Sequence, residues 1–144
     1  MTHASRDTTT GLIFERMTSM IKENCINVTK HNLYRYLKKQ KIDWTKVISK
    51  KLLPDEAYYD PINKTFTIFE KKYQHTKGSC DEKPQTCGFK IWEYRKLAAL
   101  LGVKPQDVKY IYILSKWFAA PCYKDMLEYI KATDGCDYVI MEMV

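Results

Sequence analysis

The sequence has no glycine-rich loop of the kind that cradles nucleotide phosphates, which argues against an NTPase. It has no apolar run long enough to cross a bilayer. Its first residues, MTHASRDTTTG, lack the apolar segment of a secretory signal. A cytoplasmic protein, bacterial or phage-encoded and without a membrane partner, is the expectation. Cysteine is present but unpatterned: Cys25, Cys80, Cys87, Cys122 and Cys136 are odd in number and contain no C-x-x-C pair. A structural zinc site built on short paired spacings is therefore not expected. Cys80 and Cys87 with His75 remain the one Cys/His grouping near in sequence; reduced intracellular thiols are the plainer reading. Ser115 has no His and Asp partners at a recognisable spacing, so a serine-hydrolase triad has no support. No repeat and no interdomain linker divides the chain. We expect a disordered start over residues 1–9 and one domain over 10–144.

What is present is positive charge and aromatic surface. The net charge is +7, the isoelectric point about 9.1, and 13% of the 144 residues are aromatic, eleven of them Tyr. A basic balance suits a polyanion partner, because neutralising phosphates releases counterions. The segment NLYRYLKKQKIDWTKVISKK (32–51) interleaves aromatics with cations, and Arg35, Lys38, Lys39 and Lys41 are candidate phosphate contacts. The alternative is a solvated helix face. His31 and His75 have the residue type of a general base or a ligand, but read more simply as surface histidines. Trp117-Phe118 reads as a base-stacking pair, a dimer contact or an edge-of-core cluster.

Periodicity predicts the elements. Leu12, Ile13, Met17, Met20 and Ile21 recur at helical spacing, predicting a helix over 10–24. The segment 27–30 breaks it, and a basic helix follows from Thr29 or Lys30 to about Lys39. Asp43 is placed to cap a short third helix holding Trp44, Val47 and Ile48. Pro54 ends that region. A β-hairpin is then predicted, with arms 55–59 and 65–74 around the turn-forming Asp60-Pro61-Ile62-Asn63-Lys64. After a polar loop over 75–88 come a helix over 90–101 with Gly102 beyond it, a buried strand at 109–115, a helix over 121–132 and a strand at 137–143. Strands alternating with helices imply an α/β fold with a mixed sheet flanked by helices.

Side chains alternate along a strand, so Glu70, Lys72 and Gln74 share one face, while Phe69, Lys71 and Tyr73 take the other. Charges at the end of a strand that begins TFTIF need partners. Asp55, at the start of the other arm, would come within reach of Glu70. Two carboxylates brought together repel unless a cation neutralises them, and hard oxygen ligands suit Mg²⁺ or Mn²⁺. The plainer alternative for Asp55, Glu70 and Lys72 is a surface salt-bridge patch. Glu56 beside Asp55, and Lys71 beside Lys72, leave the register open by one residue.

Pro54-Asp55 followed by Glu70-Lys71-Lys72 resembles the signature of PD-(D/E)xK, or restriction-endonuclease-like, nucleases. Gly11-Leu12-Ile13-Phe14-Glu15-Arg16 looks like the N-terminal helix of many members, and Gly78 to Lys83 is similar to the segment after the motif in some restriction and phage-borne enzymes. The resemblance implies an αβββαβ core, here with a small helical insertion. It implies a Mg²⁺-dependent DNA endonuclease of restriction or phage type, Mn²⁺ serving as substitute. Asp55 and Glu70 would hold the metal with the Lys71 carbonyl, Glu15 would support it, and Lys72 would be the catalytic lysine. Gln74, Ser79 and Lys83 would lie along the nucleic acid. Double-strand cleavage by so small a unit implies a homodimer, with DNA as partner and no small-molecule cofactor. Alternatives are a Holliday-junction resolvase-like nuclease, a non-catalytic nucleic-acid-binding module of the same fold, and an interaction protein without a site.

Overall fold

The structure, a computed structural model, describes residues 23–73 and 83–141. Among these residues, strands β1 (Ile26–Asn27), β2 (Glu56–Asp60), β3 (Thr65–Lys72), β4 (Val108–Ser115) and β5 (Cys136–Met141) form one mixed sheet in that spatial order. The β1–β2 and β2–β3 pairs are antiparallel, while β3–β4 and β4–β5 are parallel. Antiparallel neighbours accept a short turn, and 61–64 supplies it. The Asp60 carboxylate accepts the N–H groups of Ile62 (2.9 Å) and Asn63 (3.0 Å), and Lys64 takes a left-handed φ of 55°. Parallel neighbours need a crossover. Helix α2 (Cys87–Ala99) joins β3 to β4, and α3 (Lys124–Ala132) joins β4 to β5. Helix α1 (Asn32–Lys39) belongs to the long connection between β1 and β2.

Register decides which residues share a face. Ala57 and Tyr59 of β2 align with Ile68 and Phe66 of β3, which align with Tyr110 and Val108 of β4. These residues form the main core with Leu33 and Leu37 of α1, Ile91, Tyr94 and Leu97 of α2, and Met126 and Ile130 of α3. The described helices therefore pack on one face of the sheet. The other face carries a smaller cluster of Tyr58, Phe69 and Ile113, with Cys25, Ile111 and Met141 against it.

The sheet-and-helix class, the hairpin and the strand at 108–115 agree with the sequence reading. Differences lie at the ends. Residues 26–27, where the sequence reading has the chain leaving the helix over 10–24 and breaking at 27, form the edge strand β1. The helix before β4 starts at Cys87 rather than Lys90, after a 3-10 turn over Lys83–Thr86. The third helix is a single 3-10 turn, Trp44–Lys46, capped as expected by Asp43, whose carboxylate accepts the Thr45 N–H at 3.0 Å. Residues 121–123 form a 3-10 turn before α3, and β2 begins at Glu56. Of the helix predicted over 10–24, only Glu23 and Asn24 are described, and they are helical.

Gly102 closes α2 with a φ of 79°, and the Val103 N–H returns to the Ala98 carbonyl at 3.1 Å. Gly135 turns α3 into β5 with a φ of 82°; a Cβ there would meet Ile91 Cδ1 at 2.4 Å and Arg95 Nη2 at 2.8 Å. Nothing lies within 4 Å of a Cβ at Gly102. Gly135→Ala is expected to cost about 2–5 kcal/mol, left-handed strain plus overpacking, while Gly102→Ala costs about 1–2 kcal/mol from strain alone. Urea unfolding of both variants checks this; equal losses would contradict the packing argument.

Candidate functional site

Segment 28–30 continues the edge begun by β1. The Val28 N–H donates to the Ala57 carbonyl (2.9 Å), the Ala57 N–H donates to Thr29 Oγ1 (3.1 Å), and the Lys30 N–H donates to the Pro54 carbonyl (2.9 Å). This pins the chain on both sides of Asp55. The hairpin register pairs Glu56 with Phe69, so Asp55, one residue earlier, stands opposite Glu70. Its backbone N–H approaches Glu70 Oε1 at 3.4 Å. The Lys71 N–H donates to Asp55 Oδ2 at 3.0 Å. The two carboxylates thus sit together on the helix-covered face.

Burial and charge set their protonation. Glu70 is only 8% exposed. Burial, then the neighbouring Asp55 charge and the hydrogen bond the Glu70 carboxyl donates to it, push its pKa up to about 7; Lys72 pulls the other way. Burial also acts to raise Asp55. The Lys71 N–H, the hydrogen bond from Glu70 and the Lys30 ammonium outweigh that and hold Asp55 below the usual carboxylate range. Below about pH 7 the pair therefore holds one proton, on Glu70.

Lys72 is half-buried on the same face, close enough to act on Glu70. The Lys71 side chain is exposed on the opposite face and pairs with Glu56 at 3.7 Å. The register left open by the sequence is thereby resolved: Asp55, Glu70 and Lys72 share a face, and Glu56 and Lys71 share the other.

Sequence reasoning missed Lys30 and Tyr94. Lys30 Nζ lies 3.2 Å from Asp55 Oδ1, although 25 residues separate the two. Lys30 holds a left-handed φ of 51°, uncommon for a non-glycine residue. No local pattern announces either feature. Tyr94 of α2 was expected in the core and is buried there, under the carboxylates. Burial first, then the Glu70 charge, raises its phenol pKa far above the ordinary value.

The other candidates are spread out. Arg35, Lys38 and Lys39 are exposed on α1, on the side away from the buried Leu33, Tyr34 and Leu37. Arg35 Nη1 donates to Asn32 Oδ1 at 2.8 Å. The Tyr34 hydroxyl donates to the Leu52 carbonyl at 2.6 Å, fixing α1 to the chain that enters β2. Lys41 is exposed just beyond α1, and Lys83 is exposed at the 3-10 turn before α2. His31 is exposed where α1 begins. Phe118 is buried and Trp117 Nε1 donates to the Tyr123 hydroxyl at 2.8 Å, which fits the edge-of-core reading of that pair. Cys87 is buried at the start of α2, and the Cys136 thiol donates to its carbonyl at 3.8 Å. Glu15, Gln74, His75, Ser79 and Cys80 lie outside the described residues.

Among the described residues no three His, Cys, Asp or Glu side chains converge into a metal cluster. The hairpin offers a pair of hard carboxylates and the Lys71 backbone between them. A carboxylate pair kept from full ionisation by the burial of Glu70 and by mutual repulsion fits a divalent cation, which would replace the proton. Among the described residues no helix is long and apolar enough to cross a membrane. Comparison with protein-family models, with curated proteins and with solved structures returns no match.

Proposed function

We propose that the chain is a metal-dependent DNA endonuclease of the PD-(D/E)xK type, restriction or phage-like. The observation that carries this reading is the register, which sets Asp55 opposite Glu70 with Lys72 on the same face. The strand order supports it: an antiparallel β1–β2–β3 unit, a helical crossover and the parallel β4 follow the βββαβ part of that core. The connection holding α1 would then be the helical insertion.

Mg²⁺ would be held by the carboxylates of Asp55 and Glu70 and by the Lys71 carbonyl, and when bound it supplies Lewis acidity towards a phosphodiester. Lys72 would place its ammonium beside the charge that develops on the phosphate. The Lys71 N–H orients the Asp55 carboxylate, so that carboxylate is positioned before any ligand arrives. Lys30 pairs with Asp55 from an exposed position, from which it can transfer its contact to an incoming phosphate. The exposed cations of α1 would extend the phosphate track. Cleavage of both strands calls for two copies.

One observation favours a second reading. Lys30 already supplies Asp55 with a protein cation, which is what a nucleic-acid-binding module without chemistry would need. Incubating supercoiled plasmid and a four-way junction with the protein and Mg²⁺ or Mn²⁺ separates the readings. Metal-dependent plasmid fragments are expected; preferential junction cutting would turn the reading to a resolvase. Binding without cleavage in either metal would leave the module. Saturating Mg²⁺ is further expected to raise the melting temperature of the parent, by about 2.7 kcal/mol of stabilisation at a hundred times Kd, and not that of Asp55→Ala.

A further inference from the structure

Helix α2 is apolar on two sides. Ile91, Tyr94 and Leu97 bury one face, yet Phe89 and Trp92 point outward, 58% and 55% exposed. Their rings lie together, 5.8 Å between centroids and tilted by 31°. The Lys96 ammonium stands 4.4 Å from the centroid of the Trp92 ring. Lys90 is half-buried between the two aromatics in sequence, and Glu93, the acidic residue of α2, is buried. Exposed rings cost solvation, and burial of the helix does not require them. Gly88 adds to the patch: the Tyr129 hydroxyl of α3 comes within 2.8 Å of where a Gly88 Cβ would be, and Tyr129 is itself 47% exposed.

We infer that Phe89 and Trp92 form a stacking platform for unpaired bases of a nucleic-acid strand. Every base has a π-face, so aromatic platforms beside cations bind single strands with little regard to sequence. The charge around the rings selects this occupant. Lys96 and Lys90 complement phosphates, whereas a second copy docked on the same patch would bring lysines against lysines. Position links the platform to the carboxylates. Tyr94 of the same helix is buried under the carboxylates, and Phe89 and Trp92 lie on the exposed side of that helix. In placing unpaired DNA beside a cleavage site, the inference rests on the nuclease reading; binding itself does not.

The test is fluorescence anisotropy with a labelled oligo-dT strand and a duplex of equal length, in EDTA. The variants are Phe89→Ala/Trp92→Ala and Trp92→Phe, with circular dichroism to verify folding. Loss of both rings is expected to weaken oligo-dT binding roughly tenfold or more, and duplex binding much less. Trp92→Phe keeps a ring and should stay within about threefold of the parent. Undiminished oligo-dT binding by the double variant would overturn the inference, as would equal losses on both probes, or absence of oligo-dT binding by the parent. A dimeric parent that becomes monomeric in the double variant without losing oligo-dT would do so as well. If no protein cleaves DNA but the double variant loses oligo-dT, the nuclease reading fails and the platform stands. Cleavage by the parent with unchanged oligo-dT binding in the double variant gives the reverse.

Discussion

Lys72→Ala is expected to slow phosphodiester cleavage about 100- to 1,000-fold at saturating Mg²⁺, the usual cost of removing one preorganised donor from a developing charge. Lys72 is half-buried at the end of β3, on the face of the carboxylate pair and close enough for its charge to act on Glu70. Substitution by Ala leaves the β3–β4 ladder intact, because the backbone supplies those bonds. The neighbouring Lys71→Ala is the matched control. It removes an equal charge from the opposite face, where the partner is the half-exposed Glu56 at 3.7 Å. An exposed ion pair is worth about 0–1 kcal/mol, so Lys71→Ala should change the cleavage rate by less than about threefold. Single-turnover rates on one plasmid substrate decide the matter. Equal losses in the two variants would mean that bulk charge, not placement, governs the rate, and parental cleavage by Lys72→Ala would remove Lys72 from the site.

Glu70→Gln should stabilise the fold at pH 8 and abolish cleavage. The Glu70 carboxyl titrates near 7 in the folded chain because burial and Asp55 oppose its charge, against an ordinary value of 4.5. The folded chain thus holds this proton more tightly than the unfolded chain does. Stability contributed by the protonated form is complete below about 4.5 and is lost as pH rises through about 7. Above that, the buried charge costs on the order of 3 kcal/mol. Gln keeps the shape, still accepts the Asp55 N–H, and never ionises. The stability difference between variant and parent should therefore grow from near zero at pH 4.5 to that figure at pH 8, a melting-temperature gain of roughly 5–10 °C. Asp55 works in the other direction and in another window: its lowered pKa lends stability that disappears only as pH falls below the ordinary carboxylate range. Denaturant midpoints of both proteins at the two pH values, without divalent metal, isolate the Glu70 contribution. A constant difference across pH would show that Glu70 carries its charge without penalty. A site that gives up stability in order to hold a carboxylate is expected where function needs the charge.

Local chemistry made much of this visible beforehand. The alternation in TFTIFEKK assigns Glu70 and Lys72 to one face whatever the partner strand, because strand period is a property of the backbone. Asp43 as a cap and Gly102 as a helix terminator follow from short-range hydrogen bonding and steric freedom. The buried Ile91, Tyr94, Leu97, Ala98 and Leu101 follow from the helical period. The hairpin brings Asp55 to Glu70 because its turn is short and its register therefore constrained.

Other features depend on contacts between distant segments, which local pattern does not encode. Two residues are too few for Ile26–Asn27 to show a strand period; Tyr58 and Tyr59 across the ladder make them one. Lys30 reaches Asp55 only because segment 28–30 is bonded along the edge of β2. The helical period of α2 marks the buried face but does not tell that Phe89 and Trp92 stay exposed, which the packing of the other elements decides. The sequence by itself determined which side chains lie together on each element, since backbone geometry sets that within a few residues. Only the tertiary structure decided which faces meet, that Glu70 is buried enough to keep its proton, and that a lysine far along the chain answers Asp55. Those outcomes depend on register, crossovers and desolvation summed over the whole fold.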